Sequence, residues 1–168
     1  MMFLSFDMGL RNLAFCQLNM APAPRIVAWE VVDVVGERNA KRMTCQRAAE
    51  LMLDFLRQRF PRRIDDCTVL VEQQPMRARC ANLKMKVLSH VLQAHFYSLG
   101  FKVKFVSPRR KLKRKCHRDY QLNKRQAVSD CLLVLPRFNA KWTTYFAALP
   151  KKDDAADCLL QALAVAVT

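Results

Sequence analysis

The stretch Lys-Lys-Asp-Asp-Ala-Ala-Asp, residues 151–157, opens the most apolar segment of the chain with three carboxylates. From Ala155 to Val167 every side chain except Asp157 and Gln161 is apolar, so a helix here has no broad solvated face and must pack on both sides. Asp153 stands at the expected N-cap. Asp154 and Asp157, three residues apart, project from one face of the first turn, where unpaired backbone N–H groups and the helix dipole favour negative charge. A cap needs only one acid. Three acids within five residues repel one another in apolar surroundings unless a cation neutralises them, and clustered carboxylates are the ligands that hard divalent ions require.

Further acids of the right kind lie at the ends of apolar runs. Met2 to Phe6 reads as a buried strand followed by Asp7 and then Gly9, whose turn freedom leads into a second strand, Leu13 to Leu18. After Ala-Pro-Ala-Pro at 21–24, Ile26 to Val35 gives a third strand with Gly36 as its stop, so the chain begins as an antiparallel meander. Residues 41–60 carry apolar side chains at helical spacing, at Met43, Ala48, Leu51, Met52, Phe55 and Leu56, and Pro61 ends that helix. Cys67 to Val71 is then a strand ending in Glu72, and a strand after a helix implies a parallel crossover. Asn82 to Leu99 is a long helix with a broad apolar stripe and Gly100 as its C′ residue, followed by a fifth strand, Lys102 to Val106. A helix from Gln121 to Leu135 is stopped by Pro136, and residues 136–150 lead to the acidic helix.

Lys and Arg number 29 against 14 Asp and Glu, for a formal charge of +15, while 52% of the 168 residues are hydrophobic. That mixture describes one folded domain, residues 1–168, with a polyanionic partner, and no repeat or linker divides it. An anionic membrane would call for an amphipathic basic helix or an anchor, and neither is evident, so nucleic acid is the expected partner of a soluble, intracellular protein. Seven cysteines, an odd number with no C-x-x-C pair, read as reduced thiols. Cys116-His117 has no second pair at zinc-finger spacing, so no structural zinc is expected. His90 and His95, five apart on one helix, fall on different faces and are given no chemistry.

From Lys102 to Arg125 there are eleven Lys or Arg and a single acid, Asp119. A solvated surface favours mixed signs, whereas a run of one sign costs self-repulsion, so phosphate binding explains it better. The contacting residues are expected to be Arg109, Arg110, Lys111, Lys113, Arg114, Lys115 and Arg118. Tyr120 is the only aromatic in the loop after the fifth strand, so backbone and shape are expected to be read rather than stacked bases.

The element order β-β-β-α-β-α-β-α-α, with acids at Asp7, Glu72 and the start of the last helix, is the layout of the α/β RNase H-like fold: a five-stranded mixed sheet, three strands antiparallel and the rest parallel, flanked by helices. Phe-Asp-Met-Gly-Leu-Arg-Asn-Leu-Ala at 6–14, Val-Glu-Gln-Gln at 71–74 and the 151–157 stretch resemble the motifs of RuvC-type Holliday junction resolvases, in the branch of poxviruses, other large DNA viruses and mitochondria. The match runs from Asp7 to the final helix. The resemblance implies that Asp7, Glu72, Asp154 and Asp157 form a catalytic, metal-binding tetrad, with Asp153 just outside it. Composition alone does not separate Asp153 from Asp154, since Asp153 and Asp157 form an equally good i,i+4 pair. The family's basic catalytic side chain has Lys111, Lys113, Lys115 and Lys151 as candidates, and no motif selects one.

The activity implied is Mg²⁺-dependent resolution of four-way junctions. Two Mg²⁺ about 4 Å apart, replaceable by Mn²⁺, would activate water and stabilise the leaving 3′ oxygen, giving 5′-phosphate and 3′-OH ends. Two symmetric cuts by a chain with one carboxylate set imply a homodimer, with the 82–99 helix as its surface and Met85, Leu88 and Leu92 as contacts. A nuclease for other branched DNA or RNA/DNA hybrids would share the same acids. A non-catalytic binder would have no use for four acids at converging element ends.

Overall fold

The computed structural model describes residues 1–36, 42–74, 82–108 and 120–167. Strands β1 (Met2–Asp7), β2 (Leu13–Asn19) and β3 (Arg25–Val32) form an antiparallel meander. Helix α1 (Cys45–Arg59) then leads to β4 (Cys67–Glu72), and α2 (Leu83–Ser98) to β5 (Lys102–Val106). Both later strands run parallel to β1, giving one sheet in the order β3-β2-β1-β4-β5. Helices α3 (Tyr120–Val134), α4 (Ala140–Ala148) and α5 (Asp153–Ala166) complete the chain. The mixed sheet is as expected, and no helix of the described residues is long and apolar enough to cross a membrane.

Strand alternation divides the core into two layers. Leu4, Phe6, Phe15, Val69 and Val71 point to one face, where Met52 and Leu56 of α1 and Leu88, Leu92 and Phe96 of α2 cover them. Phe3, Cys16, Trp29, Leu70 and Val106 point to the other, covered by α3, Phe146 of α4 and α5. Phe60, just past α1, sets its ring edge-on to Phe6 and Phe15 at 5.6 and 5.2 Å, and Trp29 stacks on Phe146 at 5.3 Å. No residue of α5 is fully exposed, because sheet and α3 take it from two sides.

Several expectations need correction. The third strand ends at Val32 rather than Val35, because the Asp33 carboxylate accepts from the backbone N–H groups of Val35 and Gly36, both at 2.9 Å, and turns the chain early. Residues 136–150 hold a helix, α4, which the Asn139 side chain caps by accepting from Lys141 N. Asp153 is not an N-cap: that position is Lys152, without a side-chain cap, and Asp153 is the first helical residue. Two of the three expected dimer contacts fail as well. Leu88 and Leu92 are wholly buried in the α1–α2 layer and half-buried Met85 packs against it, so that side of the apolar stripe is spent on the core. The helix itself is as expected, with Asn82 capping Met85 N and Gly100 past the end at φ +81°.

The β1–β2 turn shows why position 9 is glycine. A Cβ there would lie 2.6 Å from the Asn12 carbonyl oxygen, a backbone atom that cannot yield without moving the turn next to Asp7. Gly9→Ala is expected to destabilise the fold by about 1–3 kcal/mol, read as a lower thermal midpoint.

Candidate active site

Asp7 ends β1 and Glu72 ends β4, at the same edge of the sheet. The parallel register pairs Phe6 with Val71, so the next residues on these neighbouring strands, about 4.8 Å apart, are the two acids. Alternation puts both on the α5 side: Asp7 follows Phe3 and Ser5, Glu72 follows Leu70, and Phe3 and Leu70 belong to the α5 layer. Asp7 is buried to 9% exposure, which the apolar strand before it enforces, while Glu72 is half-buried.

Helix α5 crosses over this face. The Gln161 amide Nε2 donates to Ser5 Oγ at 3.1 Å and to the Phe6 carbonyl at 3.2 Å, and Trp29 Nε1 donates to the Ala155 carbonyl at 3.0 Å. Asp154, Asp157 and Gln161 lie at i, i+3 and i+7, hence on one helix face. Asp157 thus lies one turn before the residue that grips β1. Its charge is also felt on α3, where burial and then Asp157 push the Cys131 thiol up to about 12. The structure therefore brings Asp7 and Glu72 side by side and puts Asp154 and Asp157 on the same face of α5 as Gln161, which grips β1.

The helix acids are held by lysines. Lys124, on α3, donates to Asp153, and Lys151 donates to Asp154 while lying 3.7 Å from Asp153. For Asp153, burial alone would raise the pKa, but the Lys124 hydrogen bond and the two lysine charges together bring it below the usual carboxylate range. Asp154 is pushed up, chiefly by burial, with the neighbouring Asp153 adding to it and Lys151 opposing. Among the described residues no three His, Cys, Asp or Glu side chains stand close enough to hold one ion as they are placed. The donor chemistry still fits a hard divalent ion. All candidate ligands are carboxylates, two of the helix acids already bind cations, and Asp154 carries a burial cost that a further cation would relieve.

An open groove of about 600 Å³ runs between α3 and the entry to α5, bordered by Gln121, Lys124, Arg125, Lys151, Lys152 and Asp153. Its excess of cations suits an anionic chain. Arg109, Arg110, Lys111, Lys113, Arg114, Lys115 and Arg118 lie outside the described residues, as do Cys116 and His117. Of the basic candidates for the site, only Lys151 is described. Lys124 was missed, although its spacing carried a signal: with Ala127 and Cys131 it falls at i, i+3 and i+7 on the face of α3 turned to the core. His95 is buried with Nε2 3.1 Å from the Phe60 carbonyl, a structural role.

This sheet order with helices on both faces is the RNase H-like fold, shared with RuvC-type Holliday junction resolvases. The chain belongs to the family described as Poxvirus A22 protein, whose model matches residues 1–168. Among solved structures, it is similar to fowlpox virus resolvase in complex with Holliday junction DNA, with a TM-score of 0.71 and 18% identity over 98% of this chain and 96% of that one. The yeast mitochondrial Holliday junction resolvase gives a TM-score of 0.61 at 17% identity, covering 96% of this chain and 77% of that one. Thermus thermophilus RuvC with its Holliday junction substrate gives 0.60 at 18%, covering 99% and 93%. No protein with a curated record matches the sequence.

The two lysine-held acids should behave oppositely. Asp153, with its pKa lowered on folding, contributes stability above the unfolded carboxylate pKa and loses it as pH falls through the folded value. Asp154, with its pKa raised, contributes only at low pH and loses that as pH rises through its folded value, so its ionised form costs stability at neutral pH. Without divalent ions near pH 7, Asp153→Asn is expected to cost about 1–3 kcal/mol by stranding the Lys124 charge. Asp154→Asn should leave the melting temperature unchanged or raised. Calorimetry from roughly pH 3 to 8 checks this, and both differences should close in acid.

Proposed function

We propose that this protein is a structure-selective, Mg²⁺-dependent DNA endonuclease that resolves four-way junctions by paired symmetric nicks, leaving 5′-phosphate and 3′-OH ends. The observation that carries the reading is that two strand-end acids stand side by side on the sheet face crossed by an apolar helix bearing Asp154 and Asp157, beside a cationic groove. The names of the similar structures support it, since fowlpox virus resolvase and RuvC are each described with Holliday junction DNA.

In this reading Asp7, Glu72, Asp154 and Asp157 are the ligands, and Asp153 is not. Divalent ions bound there would supply an activated water and charge neutralisation at the scissile phosphate. Lys124 holds Asp153 aside and keeps α3 against the start of α5. Lys151, the more exposed of the two lysines, can exchange Asp154 for a substrate phosphate. The groove cations and the basic run before α3 offset the repulsion between DNA and the acids. Asp7→Asn, or chelation of divalent ions, is expected to abolish cleavage of a synthetic four-way junction while junction binding in a gel shift stays intact or tightens. Cleavage at near wild-type rate would reject the tetrad. Preferential cutting of flaps or RNA/DNA hybrids would favour a general nuclease.

The homodimer needs a surface other than Leu88 and Leu92. Leu83, Val87, His90, Ala94 and Tyr97 recur on the outer side of α2 at spacings of four, three, four and three, the repeat of a two-helix seam. Leu83 and Tyr97 are 66% and 75% exposed, so neither is needed by the core. Two copies pairing these seams about a two-fold axis would present two acid sets to one junction. Leu83→Glu with Tyr97→Glu is expected to give a folded monomer by light scattering that makes single nicks instead of paired cuts.

A further inference from the structure

Gln161 is the one polar side chain in the second half of an apolar helix, and it is wholly buried. Leucine or methionine would fill such a place without the desolvation that a buried amide incurs. Nor is the amide fully compensated: Nε2 makes its two bonds to β1, but among the described residues Oε1 has no hydrogen-bond partner. Stability alone does not account for a residue of this kind.

Its two acceptors are informative. The Phe6 carbonyl belongs to the peptide bond that joins Phe6 to Asp7, so Gln161 grips the peptide group carrying the strand acid. The second acceptor, Ser5 Oγ, is itself fully buried and points to the same side of the sheet as Asp7. On its own helix Gln161 shares a face with Asp154 and Asp157, one turn beyond the latter. A single side chain thus connects the peptide of one acid to the helix that carries two others. Apolar packing on either side of it is non-directional, so the directional bonds fix where α5 stands on the sheet: Trp29 to the Ala155 carbonyl from β3, and the Gln161 amide on β1. Of these, only the two Gln161 bonds act on the strand that carries Asp7.

We propose that Gln161 is a positioning residue, which through the Phe6 carbonyl and Ser5 fixes the height of the Asp154–Asp157 turn over Asp7 and thereby the geometry in which these acids take a divalent ion. The inference rests on the carboxylate reading above. It assigns the residue no contact with substrate or metal.

The test is titration calorimetry of Mn²⁺ into the full-length protein without DNA, alongside the Mg²⁺ dependence of junction cleavage. Gln161→Leu is expected to fold, with a melting temperature at or above wild type without metal, and to bind Mn²⁺ about tenfold more weakly. Its cleavage curve should move to higher Mg²⁺ by a similar factor and recover at saturation. Gln161→Asn, too short to reach both acceptors, should shift in the same way, and Ser5→Ala, which leaves the Phe6 bond, should shift less. Wild-type metal curves in Gln161→Leu and Gln161→Asn, with changes confined to melting temperature, would overturn the proposal. Should Gln161→Leu not fold, unmoved curves in Ser5→Ala and Gln161→Asn would overturn it equally. Asp7→Asn separates this from failure of the site itself. If wild type binds no Mn²⁺, or Asp7→Asn binds it as wild type does, the carboxylate site is wrong and this inference falls with it.

Discussion

Carboxylates gathered where water is scarce must be matched by positive charge, and much of this molecule follows from that electrostatic demand. The strand acids are half or more covered because the apolar runs before them are core. The helix acids are covered because everything after them on α5 except Gln161 is apolar. The described cations nearest the helix acids come from two directions, Lys124 from α3 and Lys151 from the loop before α5. That explains why α3 carries a lysine on the side it turns to the core, and why that helix lies against α5. The same demand divides labour between adjacent residues: Lys124 and Lys151 offset the burial of Asp153, whereas the Lys151 bond to Asp154 does not offset its burial.

What was legible in the sequence depended on whether a signal was local. Strands β1, β4 and β5 and helix α2 were readable to within a residue, because each is an apolar run bounded by its own punctuation: Asp7 and Gly9, Glu72, Asn82 and Gly100. The three acidic motifs were legible as candidates because the last helix opens with three acids where a cap needs only one, and two apolar strands each end in a further acid. Long-range competition was not readable. Asp153 looked like a cap until a lysine 29 residues away took its carboxylate. Leu88 and Leu92 looked available to a partner because a one-dimensional stripe does not say which half of it meets a sheet. Helix α4 had its signal in Asn139 and in Trp142, Tyr145 and Phe146 at i, i+3 and i+4, but its nine residues, entered through a proline-containing 3₁₀ turn, fell below the length at which periodicity persuades.

The two hydrophobic layers on opposite faces of the sheet bear on how such a chain tolerates change over long descent. Side chains on opposite faces of a strand share no packing partners, so substitutions in the α1–α2 layer and in the α3–α5 layer should accumulate almost independently. Each layer can be repacked as long as its total volume is kept. Only the backbone of the central strands belongs to both, and backbone placement is insensitive to which apolar residue fills a given site. The fold shared with the fowlpox virus resolvase structure at 18% identity and a TM-score of 0.71 shows how little of this architecture depends on particular apolar side chains.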